Sequence, residues 1–159
     1  MMKTAVVFFR SPQSYLSGEY YDKAISVLLS GGITVDKVEV LSSLDEGEFL
    51  RRVDDLLGVY DNLLIVDGEK CEFDLKGIIV DRMETVLEEN ENAKTYIKAA
   101  SAVLGIPYEE RYARLPVDAI LIPNHRGIYQ GYLMDAEDFT LAVLPENYEE
   151  LKSTCEEYL

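Results

Sequence analysis

Two apolar runs, each followed by an amphipathic helical pattern, constrain the fold of this chain most strongly. Residues 4–9 and 62–66 are continuous apolar stretches without alternation, which is typical of strands buried on both faces of a sheet. Helical patterns follow them at 18–29 and 75–87, with apolar residues spaced to lie on one helix face. Buried strands joined by crossover helices predict a mostly parallel sheet with helices on both faces.

The remaining segments continue this alternation of strand and helix. Their strand periodicity, helix periodicity, capping residues and turn residues predict the following elements: a strand at 33–40, a helix after the S-x-x-E pattern of Ser43 and Glu46 that runs to Leu57, a helix at 93–104 ended by Gly105, a strand at 119–122, a hairpin of 131–134 with 139–144, and a last helix capped by Asn147 and Glu150. The expected fold class is a three-layer α/β sandwich with a mostly parallel sheet and a late antiparallel hairpin. One domain is expected over residues 1–159.

Composition excludes several classes of function. The formal net charge of −15 repels nucleic acid, so DNA or RNA is not an expected partner. The longest apolar runs are too short to span a membrane, and residues 5–9 are too short for a signal peptide, so we expect a cytoplasmic protein without a membrane partner. Cys71 and Cys155 lack metal-ligand spacing, and a single histidine, His125, excludes a His-based cluster.

A loop at 67–74 is the first candidate site, because it follows a buried strand and opens a helix. Ligands of open α/β sheets bind at the carboxyl ends of the strands. A phosphate cradle there is usually rich in glycine, but this loop has only Gly68. Lys70 supplies a point charge that partly replaces lost backbone donors. The alternative is a solvated acidic loop in which Asp74 only begins the helix.

Other residues extend this candidate site. Arg10 ends the first strand beside Ser14 and Ser17, and parallel strands share one carboxyl edge, so Arg10 and Lys70 are expected to form a small positive spot. The alternative is a surface arginine with helix-capping serines. The acids at 67, 69, 72 and 74 are oxygen ligands of the kind that Mg²⁺ or Ca²⁺ prefers, but their spacing fits no EF-hand, and no metal site is predicted.

The turn at 123–127 and the tyrosines are further candidates. His125 and Arg126 are weak acid–base or phosphate-binding candidates, while Asn124 and Gly127 are typical turn residues. Eleven tyrosines are present, and several cluster near the predicted loops. They suit either stacking on a flat ring or packing at a homo-oligomer contact. The clustered tyrosines are Tyr15, Tyr20, Tyr21, Tyr129 and Tyr132.

Short fragments along the chain resemble, in the same order, the motifs of one protein family. They are Leu16-Ser17-Gly18 with Asp22 (L-x-G-x-x-x-D), residues 32–35 (G-I-x-V), Asp61 before residues 63–66 (D-x-V-I-x-T), residues 113–116 with Ala119 (A-x-x-P-x-x-A), Asn124 with Gly127 (N-x-x-G), Gly131, and Leu144-Pro145 with Glu150-Leu151 (the ends of L-P-G-x-P-x-E-L). The family is the N-terminal domain of competence/damage-inducible (CinA) proteins, one of the Mog-type molybdopterin-binding domains. The resemblance covers nearly the whole chain.

The departures from the family lie at the site that the resemblance implies. In the family's G-G-x-G-P-T-x-D-D loop, Gly68 and Asp74 match, while the positions of Asp67, Lys70, Cys71, Glu72 and Leu75 do not. A family acid in the first helix falls on Ser14. The resemblance therefore implies Asp74 as the catalytic candidate in a degenerate site. The cofactor-binding candidates are Arg10, Ser14, Ser17, Gly68, Lys70, Asn124 and Gly127.

The resemblance implies a domain that binds molybdopterin or a nucleotide, with little or no inherited catalysis. The expected partner is thus a small phosphorylated ligand with a flat ring. Two alternatives stay open: an ADP-ribose-type pyrophosphatase that depends on a divalent metal such as Mg²⁺, and a purely structural module that forms a homo-oligomer.

Overall fold

The computed structural model describes residues 2–10, 18–42, 46–67 and 75–158, with only the backbone of Arg10, Ser42 and Tyr158. The elements among these residues are β1 (Thr4–Arg10), α1 (Gly18–Ser30), β2 (Lys37–Ser42), α2 (Glu46–Leu57), β3 (Asn62–Asp67), α3 (Leu75–Arg82), β4 (Leu87–Glu89), α4 (Glu91–Leu104), a 3-10 turn (Glu110–Ala113), β5 (Arg114–Pro116), β6 (Ile120–Ile122), β7 (Gly131–Asp135), β8 (Thr140–Pro145) and α5 (Tyr148–Tyr158).

A six-stranded sheet in the order β2-β1-β3-β8-β7-β6 forms the centre of the molecule. The pairs β2–β1, β1–β3 and β3–β8 are parallel, whereas β7 is antiparallel to both β8 and β6. A small antiparallel sheet of β4 and β5 lies apart from it. The expected mostly parallel sheet with a late antiparallel hairpin is confirmed.

Helices cover both faces of this sheet, because successive side chains of a strand point to opposite faces. In β1, Ala5, Val7 and Phe9 enter a core shared with α2, α3 and α4. Val6 and Phe8 enter a second core shared with α1 and α5. All five side chains are 0–3% exposed, so the continuous apolar run of β1 serves two cores at once. The three-layer sandwich follows from this double burial.

Two expected elements were placed wrongly along the chain. The helix expected at 75–87 ends at Arg82, because Glu84 has φ +54°, a left-handed conformation that an α-helix does not continue through. Of the expected helix residues beyond it, only Leu87 belongs to β4, which pairs with the unexpected strand β5. The strand expected at 33–40 begins only at Lys37, after Asp36 has exchanged two hydrogen bonds with Thr4: Asp36 N–H to Thr4 O (2.9 Å) and Thr4 N–H to Asp36 Oδ2 (2.8 Å).

The helix ends follow the expected capping chemistry. The Asn90 side chain accepts a hydrogen bond from the N–H of Ala93, so α4 begins at Glu91, two residues before the expected start. Gly105 ends this helix with φ +69° and donates its N–H to Ser101 O. The N–H of Glu150 donates to Asn147 Oδ1 at the start of α5, as the sequence predicts.

In the described ranges no helix is long and apolar enough to cross a membrane.

Replacing Gly105 with alanine should destabilise the protein because of its backbone conformation alone. A Cβ would meet no atom within 4 Å at Gly105 or at Gly18, but only Gly105 has a positive φ. We expect Gly105→Ala to lower the free energy of unfolding by about 1 kcal/mol. Gly18→Ala, the matched control, should leave it unchanged or raise it slightly. Urea denaturation measures both free energies of unfolding, and equal effects of the two substitutions would contradict a role for the positive φ of Gly105.

Candidate functional site

The carboxyl ends of the four parallel strands β2, β1, β3 and β8 lie at one edge of the sheet. Phe9 of β1 is in register with Asp67 of β3, and Asp67 is in register with Pro145 of β8. From β1 the chain moves first to β2 on one side and later to β3 on the other. This reversal makes the β1/β3 edge a topological switch point, where open α/β sheets bind ligands.

Most of the residues predicted for the site lie outside the described ranges. Ser14, Ser17, Gly68, Lys70 and Asp74 are among them, and their roles stay predictions. The backbone of Arg10 ends β1 at the switch point, but its side chain is not described. Asn124 and Gly127 are both described and lie together in the turn between β6 and β7.

A cleft opens at the ends of β3 and β8. The cleft encloses about 40 Å³, enough for about three water molecules, and about 360 Å³ when the space at its open mouth is included. Three tyrosines give the cleft an aromatic lining, and Tyr129 is 36% exposed at its mouth. A flat ring is too large for this enclosed space, so a ring that binds here has to lie at the mouth of the cleft. The described lining residues are Asp67, Lys76, Tyr112, Tyr129, Gln130, Tyr132, Val143, Leu144 and Pro145.

The aromatic lining is held by specific contacts. The Tyr112 and Tyr129 rings meet edge to face, with centroids 5.3 Å apart. The Arg111 guanidinium lies 4.8 Å from the Tyr112 ring centroid and donates to the Tyr112 hydroxyl (3.1 Å) and to Glu109 Oε2 (3.0 Å). Hydrogen bonds from Tyr112 and Arg111 lower the pKa of Glu109. These contacts fix the Tyr112 ring in the wall of the cleft.

Lys76, in the wall of the same cleft, forms hydrogen bonds that link two parts of the chain. Its ammonium group donates to the carbonyl oxygens of Arg111 (3.0 Å) and Arg114 (2.9 Å). The side chain thereby ties α3 to the segment that carries Tyr112. Lys76 lines the cleft, but these two hydrogen bonds direct its charge toward the protein backbone.

The turn between β6 and β7 is closed by a buried amide pair. The Asn124 N–H donates to Gln130 Oε1 (2.7 Å), and Gln130 Nε2 donates to the carbonyls of Asn124 (3.0 Å) and Gly127 (3.2 Å). Asn124, 1% exposed, also donates its side-chain Nδ2 to Tyr129 O (2.9 Å). The pair fixes the backbone of Tyr129 at the cleft. Asn124 thus shapes the site, and its contact with a ligand stays a prediction.

Glu150 of α5 is hydrogen-bonded to this turn, and its carboxylate is the reason that position 127 has to be glycine. Glu150 Oε1 accepts a hydrogen bond from Asn124 Nδ2 (2.6 Å). A Cβ added to Gly127 would lie 1.7 Å from the same oxygen, so glycine leaves the space that the carboxylate occupies. The sequence predicted Gly127 as a turn residue but did not predict this contact. The role of Gln130 was also missed, since a lone glutamine in a turn carries no pattern.

His125 and Arg126 are not among the described lining residues of the cleft. His125 Nε2 lies 3.4 Å from Glu157 Oε2, and the His125 ring packs edge to face on Tyr96, 4.9 Å between centroids. These contacts join the turn to α4 and α5.

In the part of the chain that the structure describes, no three His, Cys, Asp or Glu side chains form a metal-binding group.

A larger groove of about 630 Å³ lies between α1 and α5, on a helix-covered face of the sheet. Lys23 and Asp22 stand on one wall and Lys152 and Glu156 on the other, so its charges are balanced. Cys155, 1% exposed, also lines it. Burial raises the pKa of the Cys155 thiol to about 11. The strand ends and the aromatic wall belong to the smaller cleft, which we take as the candidate site.

Comparison with solved structures identifies the fold. A CinA protein of unknown function from Thermoplasma acidophilum matches with a TM-score of 0.72 and 17% identity over 98% of this chain and 95% of that chain. The molybdopterin biosynthesis enzyme MoaB from Thermus thermophilus matches with a TM-score of 0.54 and 12% identity over 98% and 88%. A molybdopterin biosynthesis protein from Mycobacterium abscessus gives 0.51 and 15% over 98% and 87%.

No family model and no curated protein sequence matches the chain. At these identities the similarity to solved structures shows the fold. The chain folds as a CinA- and MoaB-like domain, which confirms the resemblance seen in the sequence motifs at the level of the fold.

The contact between Gly127 and Glu150 predicts strong coupling between two substitutions. Gly127→Ala should displace the Glu150 carboxylate from Asn124 and cost about 1–3 kcal/mol of unfolding free energy, as expected for a lost buried hydrogen bond. Glu150→Ala should cost a similar amount. Because both lose the same bond, the double variant should be little less stable than either single variant.

Urea denaturation of the four proteins in this cycle measures the coupling. Gly131→Ala is the matched control, because there a Cβ would meet a backbone atom, Val143 O, at 2.9 Å. The loss of unfolding free energy caused by Gly131→Ala should be the same with and without Glu150→Ala. If the losses of unfolding free energy from Gly127→Ala and Glu150→Ala were additive, the two residues would not share the hydrogen bond to Asn124, and the prediction would be wrong.

The raised pKa of Cys155 predicts a poorly reactive thiol. In a Cys71→Ser variant at pH 8, the folded protein should react with iodoacetamide at least about 100-fold more slowly than the urea-unfolded protein, since only the thiolate reacts and its fraction falls tenfold per pKa unit. Quantifying the alkylated product by mass spectrometry over time gives both rates. Similar rates would show that the thiol is accessible and ionisable.

Proposed function

We propose that this domain binds a small ligand through a flat ring that stacks on Tyr129 at the mouth of the cleft, and that it does not turn this ligand over. The observation that carries the proposal is the edge-to-face pair of Tyr112 and Tyr129 beside the switch point of the sheet. Two of the matched structures are molybdopterin biosynthesis proteins. Molybdopterin and nucleotides both contain such a ring.

The wall of the cleft suits a ring because its aromatic parts are already held in place. Tyr112 is held by Arg111, and the backbone of Tyr129 is held by the Asn124–Gln130 pair. A ring that stacks there pays little side-chain entropy for ordering the site. The Asp67 carboxylate at the end of β3 is an acceptor for ring amino groups, which both pterins and purines carry.

The described residues recognise phosphate less well than a ring. Near the cleft, Arg111 is paired with Glu109 (3.0 Å) and Arg114 with Glu110 (3.5 Å), while Lys76 bonds two carbonyls. The two arginines are therefore balanced by carboxylates, and the Lys76 ammonium, which keeps its charge, has two of its three donors engaged by the backbone. In this proposal a phosphate group on the ligand would depend on Gly68 and Lys70 of the 67–74 loop, together with Arg10, Ser14 and Ser17.

The absence of turnover rests on the sequence of that loop. It retains Gly68 and Asp74 of the family pattern and has lost the other positions. The alternative is a pyrophosphatase that uses Asp74 with a divalent metal. It predicts that, with Mg²⁺ present, ADP-ribose and water yield AMP and ribose 5-phosphate, and that Asp74→Asn abolishes this reaction, whereas our proposal predicts equal background rates for the two proteins.

Titration calorimetry with three probes tests the binding proposal. Neopterin carries a ring without phosphate, ADP-ribose carries both, and pyrophosphate carries phosphate alone. We expect neopterin and ADP-ribose to bind, and Tyr129→Leu to weaken both by roughly 10-fold or more, in line with the energy of ring stacking on an aromatic side chain. Pyrophosphate should bind no more tightly to the wild type than to Tyr129→Leu.

Tyr148→Leu is the matched control, since Tyr148 begins α5 and lines the α1/α5 groove. It should leave the affinity for neopterin unchanged. No heat from either ring-containing probe at millimolar concentration, or an equal loss in the two variants, would refute the proposed site and leave the structural-module alternative.

A further inference from the structure

Strand β2 is an open edge of the six-stranded sheet. In the described ranges it pairs with β1 on one side, and no strand lies on its other side. The outer N–H and C=O groups of an edge strand are a ready template for a strand from another molecule. Val38 and Val40 lie on one face of β2 and are 42% and 44% exposed, so apolar surface accompanies the open edge.

The charges on the opposite face of β2 indicate which strand fits there. Lys37 and Glu39 are two residues apart and so point to the same face, with exposed Lys37 at the start of the strand. One carboxylate oxygen of Glu39 is shielded from solvent and has no hydrogen-bond partner in the described part of the chain. A shielded carboxylate oxygen of this kind is costly unless a donor reaches it.

We propose that β2 pairs with β2 of a second copy of this chain, antiparallel and centred on Val38. In that register Lys37 of each copy lies opposite Glu39 of the other, and the two-fold symmetry repeats the pair. The Lys37 ammonium then supplies a donor for the Glu39 carboxylate. Val38 faces Val38 on the other side of the extended sheet, which becomes twelve-stranded.

The charges also select this register over its neighbours. A shift of the pairing that moves the centre to Lys37 or to Glu39 places like charges directly opposite each other, which destabilises a strand pair. Centring on Val40 leaves Glu39 opposite Leu41. A register whose two-fold axis passes between two residues would place directly opposed side chains on opposite faces of the sheet, which antiparallel pairing does not allow. Only the register centred on Val38 joins opposite charges.

The dimer is weak and independent of the proposed ligand site. The pairing strand is six residues long and each copy carries a net charge of −15, so we expect a dissociation constant on the order of 100 μM, as for small transient interfaces. The cleft lies at β3 and β8, and β1 separates β3 from β2. Dimerisation through β2 leaves the cleft open, so either proposal can fail without the other.

Sedimentation equilibrium of the full chain between about 10 μM and 1 mM tests this interface. The wild-type mass should rise from 18.0 kDa toward twice that value. Lys37→Glu and Glu39→Lys change the net charge in opposite directions, yet each should weaken dimerisation roughly 10-fold or more, because each places like charges opposite. Lys152→Glu on α5 is the control for net charge and should dimerise like the wild type.

Two rescue measurements make the result specific to this register. An equimolar mixture of the Lys37→Glu and Glu39→Lys proteins should form heterodimers, since both cross-strand pairs are again opposite in charge. The variant with both substitutions should recover homodimers. Unchanged thermal melts confirm that all variants are folded. A wild type that stays monomeric, single variants that dimerise normally, or a mixture without recovery would overturn the proposal.

Discussion

The parallel pairing of β3 with β8 is the interaction on which the rest of the structure depends. It joins residues 62–67 to residues 140–145, which lie far apart in the chain, in a register of six residue pairs. Both strands are buried on both faces, with Ile65 and Val143 in one core and Val66 and Leu144 in the other. A slip by one residue would exchange the two sets of side chains, so the two cores together specify the register.

This pairing also creates the candidate site. It brings the end of β8 to the end of β3, so that Pro145 and Asp67 meet at the carboxyl edge of the sheet, next to the β1/β3 switch point. The polar side chains around this edge mostly hold the protein in shape: Lys76 bonds two carbonyls, and Asn124, Gln130 and Glu150 bond one another and the turn backbone. What they hold in place is an aromatic wall. This aromatic wall is the basis of our proposal that the cleft binds a ring and not a free anion.

The parts of the fold that the sequence predicted well are those in which local pattern and burial agree. The apolar runs of β1 and β3 have no alternative to a doubly covered sheet, and Gly105 and Asn147 act at helix ends through their own backbone and side chain. The parts it missed depend on distant partners. β4 begins at Leu87, the last residue of an expected helix, because β5 is there to pair with it, and nothing near residue 87 signals β5.

The same distinction applies to the site. Asn124 and Gly127 were identified as candidates through the N-x-x-G fragment and as turn residues, but the reason for Gly127 is a carboxylate that arrives from α5. Tyr129 and Tyr132 were recognised as an aromatic cluster suited either to a flat ring or to packing at a homo-oligomer contact. Tyr112, which completes the wall, comes from a different part of the chain and has no marker of its own. The predicted loop residues at 68–74 lie outside the described ranges, so their contribution stays a prediction.

Two-dimensional ¹⁵N–¹H NMR during a titration with neopterin locates ring binding in the unaltered protein. We expect saturable chemical-shift changes that concentrate on the backbone amides of Tyr129, Tyr132 and Leu144. The amides of Ser26 and Lys152 in the α1/α5 groove should not move. Shifts centred on that groove, or no saturable shifts at millimolar neopterin, would contradict a ring-binding cleft at the ends of β3 and β8.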